Sequence, residues 1–139
     1  IEKVVALAIL MPIVASMGGI AGMQSLALVI RSQALDQIGS SNSRLLIIKE
    51  ASIGVLNGIL WSTVVAFAVY LWFNSIFLGI VIASALMINL IIGAISGVSL
   101  PLILSKLKID PALAGGVILT TITDIVGFIS LLGIATLIM

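Results

Sequence analysis

The sequence contains no cysteine and no histidine. Those two absences remove Cys/His zinc sites, thiol nucleophiles, disulfides, imidazole bases and haem ligation by histidine. Charge is nearly as scarce. Charged residues make up 8% of the 139 positions, where a soluble domain carries about 25%. Six basic residues stand against five acidic ones, so there is no basic stripe and nucleic acid is excluded as a partner.

What fills the chain instead is apolar: 62% of residues, against about 45–50% in an ordinary soluble domain. A soluble domain this short buries only about two thirds of its surface, so it has nowhere to put the excess. The composition predicts a multi-pass protein of the cell (inner or plasma) membrane, with the lipid bilayer as its solvent. No chemistry on a substrate is implied, so an enzyme is not expected. The chain opens on Ile1 rather than Met, which leads us to expect a piece of something longer.

Charges punctuate the sequence. Val4 to Ile30 is a run of 27 residues without one, and Ala51 to Ser105 a run of 55. From Pro111 to Met139 the only charge is Asp124. A helix needs roughly 20 residues to cross the hydrocarbon core. The first and last runs therefore hold one span each and the middle run two, near 4–30, 51–73, 77–104 and 112–138. Backbone in lipid must satisfy its own hydrogen bonds, so the choice is helix or closed barrel. Barrel strands alternate apolar and polar residues. These runs are continuously apolar, so the fold class is all-α, with four transmembrane helices.

The middle run needs a turn, and Asn74-Ser75 is the candidate, flanked by an aromatic belt of Tyr70, Trp72, Phe73 and Phe77. Loop 31–50 carries Arg31, Arg44 and Lys49, and loop 105–110 carries Lys106 and Lys108. The positive-inside rule puts both loops in the cytoplasm. Spans of about 27 residues measure roughly 40 Å, more than a core of about 30 Å, so they must tilt, break or project. Gly18-Gly19 is the expected break in the first span, and Pro101 should kink or loosen the third. Residues 39–43 read as a flexible turn, and Asp110-Pro111 as the N-cap and first position of the last helix. Gly18/Gly22, Gly54/Gly58 and Gly93/Gly97 each place two glycines one turn apart, a spacing that admits close helix packing. Asn57 and Asn89 read as mid-span amides for interhelical hydrogen bonding, with lining of a polar path as the alternative.

Asp124 needs an explanation. A carboxylate at helix centre costs about 2.5–3.5 kcal/mol on insertion scales. None of the four spans offers a Lys or Arg at comparable depth. Gly116, Thr120, Asp124 and Gly127 follow helical spacing along one stripe, with Thr121 beside it. Oxygen-only chemistry of this kind suits a hard cation such as Mg²⁺, Ca²⁺ or Mn²⁺. A protonated Asp capping a buried hydrogen-bond network, and a proton path, remain open on the residues alone. One aspartate does not strip a dication that dehydrates reluctantly. Two copies meeting on a dimer axis would hold it through its water shell. At about 5 Å and an effective dielectric of ~20, each carboxylate gains of order 7 kcal/mol gross from a double charge, more than the insertion cost.

Residues 110–128, DPALAGGVILTTITDIVGF, closely resemble the fifth transmembrane helix of the MgtE magnesium channel family, which is related to eukaryotic solute carriers. Residues 11–35, MPIVASMGGIAGMQSLALVIRSQAL, resemble its second helix, and the spacing between them fits across the whole chain. The resemblance implies a homodimer with five helices per subunit, of which this chain holds helices two to five. It implies a path for hydrated Mg²⁺ on the dimer axis, lined by the first and last spans of this chain. Mn²⁺, Co²⁺ and Ca²⁺ stay open as alternative cargo. The aspartate of the TTxxD pattern, here Asp124, would be the metal residue. Thr120, Thr121, Gly127, Gly18 and Gly22 would line the path near it, and Gly19, Ile20 and Gly116 would form its cytoplasmic neck. Members usually carry cytoplasmic sensing domains ahead of the membrane part, and nothing in this chain corresponds to them. Two positions depart from the pattern. Ile20 replaces an asparagine in GGNxGxQS, and Val117 stands where many members have proline. A proton- or Na⁺-coupled exchanger and a non-transporting membrane scaffold are the rival readings.

Overall fold

A computed structural model of the chain describes residues 2–34 and 43–138. Four helices account for nearly all of them: α1 (Glu2–Ala34), α2 (Ser43–Phe73), α3 (Ile76–Lys106) and α4 (Pro111–Ile138). All four are long and apolar enough to cross a membrane. At 1.5 Å per residue, the 31 residues of α3 span roughly 46 Å, so the ends project beyond a core of about 30 Å.

The connections are made by residues suited to them. Asn74 takes the left-handed conformation at φ 52°, which a short polar side chain tolerates better than most. Ser75 then caps α3, its hydroxyl accepting from the Leu78 amide at 3.3 Å. At the other end of α3 the chain closes in a Schellman turn. The Ile109 amide donates to the Leu104 carbonyl at 2.9 Å and the Lys108 amide to the Ser105 carbonyl at 3.1 Å. Lys108 sits at φ 62°, a position that favours glycine. Pro111 opens α4, whose first bond runs from the Ala114 amide to the Asp110 carbonyl at 3.2 Å, as an N-cap at Asp110 requires.

Two expectations are corrected. α1 runs unbroken through Gly18-Gly19. The glycines serve close packing rather than a break, and the extra length projects at the ends. Much of the stretch expected as a loop over 31–50 is helical, because α1 continues to Ala34 and α2 already begins at Ser43. Arg44, Lys49 and Glu50 end an apolar run, but they are good helix formers and do not end a helix. Of the turn expected over 39–43, residues 39–42 lie outside the described residues, and Ser43 belongs to α2. α3 also continues past Pro101, which is buried within it.

The most buried helix is α3: half of its span is covered, against 22% for α2. α1 runs parallel to α3 in a constant register, Val14 meeting Asn89, Gly18 meeting Gly93 and Gly22 meeting Gly97. α2 and α4 pack antiparallel, on α3 and on α1 respectively. The pairs Gly54–Ala94 and Gly58–Met87 bring α2 onto α3, and Gly127–Ala15 and Gly19–Thr123 bring α4 onto α1. Toward the α2–α3 turn lies an apolar core of Leu10, Val14, Ile82, Leu86 and Leu131. The outward face is apolar too, with Leu56, Phe67 and Trp72 exposed, as lipid contact allows.

Lipid is as apolar as leucine, so backbone proximity and van der Waals contact must hold α1 on α3. A methyl on Gly93 would sit 2.5 Å from the Gly18 carbonyl oxygen, and one on Gly22 would sit 2.9 Å from that of Gly93. A methyl on Gly97 would run into the Gly22 carbonyl. Gly18 leaves space for the Asn89 amide, which is buried and donates to the Val14 carbonyl at 2.7 Å.

Gly93→Ala should therefore destabilise the fold by about 1–3 kcal/mol, the usual cost of overpacking. Gly133→Ala, where nothing lies within 4 Å, should be neutral or stabilising by up to about 1 kcal/mol. Thermal unfolding of the detergent-solubilised variants checks both. In the same assay Lys108→Gly should raise stability by about 1 kcal/mol by relieving the left-handed residue.

Candidate cation site between α1 and α4

Asp124 is half-buried on α4 and opens into a groove of about 650 Å³ between that helix and α1. Ser16, Gly19, Ile20 and Gln24 of α1 and Thr120 of α4 share the groove with it. Among the described residues no lysine or arginine forms an ion pair with Asp124, and no group of three His, Cys, Asp or Glu could hold a metal. One copy of the chain therefore offers a single carboxylate surrounded by neutral oxygens and small side chains.

The threonines around it are arranged by the helix itself. Thr120 donates its hydroxyl proton to the Gly116 carbonyl at 2.8 Å, and Thr121 to that of Val117 at 2.8 Å. Thr123, buried behind them, lies within donor reach of the Leu119 and Thr120 carbonyls at 3.2 and 3.1 Å. With the protons turned back into the helix, the oxygen lone pairs of Thr120 and Thr121 remain available to water or a cation.

The expected site residues divide into two groups. Asp124, Thr120, Gly19 and Ile20 line the groove together. Thr121 is exposed next to Thr120, and Gly116 lies against the Met23 side chain. Gly18, Gly22 and Gly127 do not line the groove. The first two press on α3, and Gly127 is buried against Ala15 and Asn89. The geometry of the helix explains the split. Three residues advance 300° around the axis, so Gly127 turns about 60° away from Asp124 into the packed interior. Gly19 and Ile20, expected at a neck, are level with the carboxylate, since Gly19 faces Thr123.

Gln24 and Glu50 escaped the sequence reading, and Asn57 takes the second of its two expected roles. Gln24 lines the Asp124 groove and also a second cavity of about 270 Å³, which it shares with Asn57 and Trp61. Asn57, expected in an interhelical hydrogen bond, makes none among the described residues and lines this cavity instead. Glu50 is buried on α2 and accepts a hydrogen bond from Ser25 of α1 at 2.9 Å. The signal that finds Glu50 is the stripe Glu50, Gly54, Asn57 and Trp61, one face of a helix, which a loop over 31–50 conceals.

The two helices that carry the groove expose apolar side chains. Ile20 is 61% and Val117 73% exposed, and Ile125 stands out beside Asp124. These are the two positions at which the chain departs from the resemblance, together with a neighbour of the acid.

Comparison with known proteins bears on the same segments. The model of the MgtE family, described as a divalent cation transporter, matches residues 11–134. The chain is 41% identical over 136 residues to the magnesium transporter MgtE of Bacillus subtilis, covering 98% of this chain and 30% of that protein. It is 31% identical over 139 residues to the magnesium transporter MgtE of Thermus thermophilus, covering all of this chain and 31% of that protein. The magnesium transporter MgtE of Enterococcus faecalis is 30% identical over 133 residues. The chain thus spans about 30% of the length of these relatives. An all-helical bundle with four membrane-competent helices and a family match over nearly its whole length places the chain in the MgtE family, as a multi-pass segment of the cell membrane.

Proposed function

We propose that this chain forms the pore part of a homodimeric Mg²⁺ channel, and that hydrated Mg²⁺ passes along a path where α1 and α4 of two copies face each other. The observation that carries the reading is Asp124: a half-buried acid with no basic partner among the described residues, opening into a groove on the α1–α4 face. An uncompensated carboxylate at that depth needs a counter-charge. The groove supplies neutral oxygens and space for water, and a second copy supplies a second carboxylate. Mg²⁺ keeps several waters when it binds few carboxylates, so outer-sphere contact through its shell suits this donor set. The relatives are named as magnesium transporters, which fits the same cargo.

The membrane potential supplies the direction. A double charge gains about 4.6 kcal/mol on moving inward across 100 mV. The positive-inside distribution of Arg31, Arg44, Lys49, Lys106 and Lys108 orients the loops after α1 and α3 toward the cytoplasm. The exposed apolar side chains of Ile20, Val117 and Ile125 would seat the second copy around the wet centre.

Asp124→Asn removes the charge with little change of shape. In proteoliposomes holding the full-length protein, it should lower Mg²⁺ uptake at least tenfold while the protein still assembles. Uptake equal to the parent's would support a scaffold, and uptake that moves protons or Na⁺ in fixed proportion would support an exchanger. The dimer axis is tested separately, since this stretch has no cysteine of its own. Val117→Cys should cross-link two copies in membranes under mild oxidation, and Leu56→Cys, exposed on α2, should not.

A further inference from the structure

The mechanism above leaves one buried charge unused. Glu50 is 4% exposed, yet its carboxylate has no lysine or arginine partner among the described residues. The Ser25 hydroxyl donates to its Oε2 at 2.9 Å and so joins α1 to α2 across the crevice between them. The charge stands beside a cavity of about 130 Å³ that Gln24, Ser25 and Asn57 also line. A water needs about 10–15 Å³ of such space, so there is room for a cation with its first shell of waters. Gln24 and Asn57 have no hydrogen-bond partner among the described residues. Their amide oxygens are free to accept from that shell.

This cavity is not isolated. Gln24 and Asn57 also line the middle cavity, and Gln24 and Ile20 link that one to the Asp124 groove. Ser25 lies about seven residues along α1 from the level of Asp124, an axial distance of roughly 10 Å. A polar track therefore leads from Glu50 past Asn57 and Gln24 to Asp124, through a protein that is otherwise 62% apolar. At ~10 Å and an effective dielectric of ~20, a dication at one acid still feels the other, which favours transfer along the track.

We propose that Glu50, with Gln24, Ser25 and Asn57, forms a second site for a hydrated divalent cation, set to the side of the Asp124 path on its cytoplasmic side and exchanging ions with it. The proposal rests on the pore reading for its choice of cargo. Glu50 supplies the charge. Ser25 fixes one carboxylate oxygen and so aims the other. The two amides hold the water shell on the side toward Asp124.

The test uses the full-length protein, with Mg²⁺ uptake measured in proteoliposomes and Mn²⁺ binding counted by electron paramagnetic resonance. Glu50→Gln keeps an acceptor for Ser25 and removes only the charge. Asn57→Leu attacks the same cavity from a different residue. Each should bind one Mn²⁺ fewer per protomer than the parent and raise the half-saturating Mg²⁺ concentration at least fivefold. Asp124→Asn should lose flux yet keep the Mn²⁺ that Glu50→Gln loses. The proposal is overturned if both cavity variants bind as many Mn²⁺ as the parent and saturate at the same concentration. In that case flux lost in Asp124→Asn leaves the pore reading standing. If instead Asp124→Asn keeps full flux while Glu50→Gln loses its Mn²⁺ and shifts saturation, the pore reading fails and the Glu50 site remains.

Discussion

A carboxylate in hydrocarbon is tolerable only with a partner, and Asp124 has none within its own copy of the chain among the described residues. That constraint organises the account. The groove beside Asp124 has room for water, Thr120 and Thr121 turn their protons away from it, and the helices that carry the groove expose apolar side chains. Each feature would be costly or pointless if the acid faced lipid. Together they support the proposal of a half-site for a hydrated cation, which a second copy of the chain would complete.

The rest of the fold sets where that groove stands. α1 and α4 must stay in register for Ser16, Gly19 and Asp124 to share a groove, and both are braced from behind by α3. Glycine does the bracing where α1 meets α3, because carbonyls sit where side chains would otherwise be. Asn89 adds a polar contact at the point where α1, α3 and α4 converge, donating to Val14 and lying next to Gly18 and Gly127. The residues nearest the proposed path are therefore of two kinds. Some touch the groove, and others, Gly18, Gly22 and Gly127 among them, determine where the groove wall stands.

Much of this was legible in advance, for identifiable reasons. Charges are excluded from hydrocarbon, so their spacing revealed four spans, and the polar pair Asn74-Ser75 could only be a turn. Asp110-Pro111 announced a helix start because proline needs no hydrogen bond at the first position. Asp124 stood out because nothing near it in sequence could neutralise it. What failed was the use of charge to end helices. Arg44, Lys49 and Glu50 bound an apolar run but remain helical, and Glu50 is a buried residue of α2. The orientation of the glycines was equally hidden. Spacing placed Gly127 on the Asp124 stripe, but only the packing of α1 and α3 reveals that a 60° turn takes it into the interior.

The most direct test of the central claim is a structure of the full-length protein soaked in Mn²⁺ and examined for anomalous density on a two-fold axis. The account predicts one peak between the two copies of Asp124, about 4–5 Å from each carboxylate, with water filling the gap. Two Asp124 side chains that face lipid, or separate pockets with no metal between them, would contradict it.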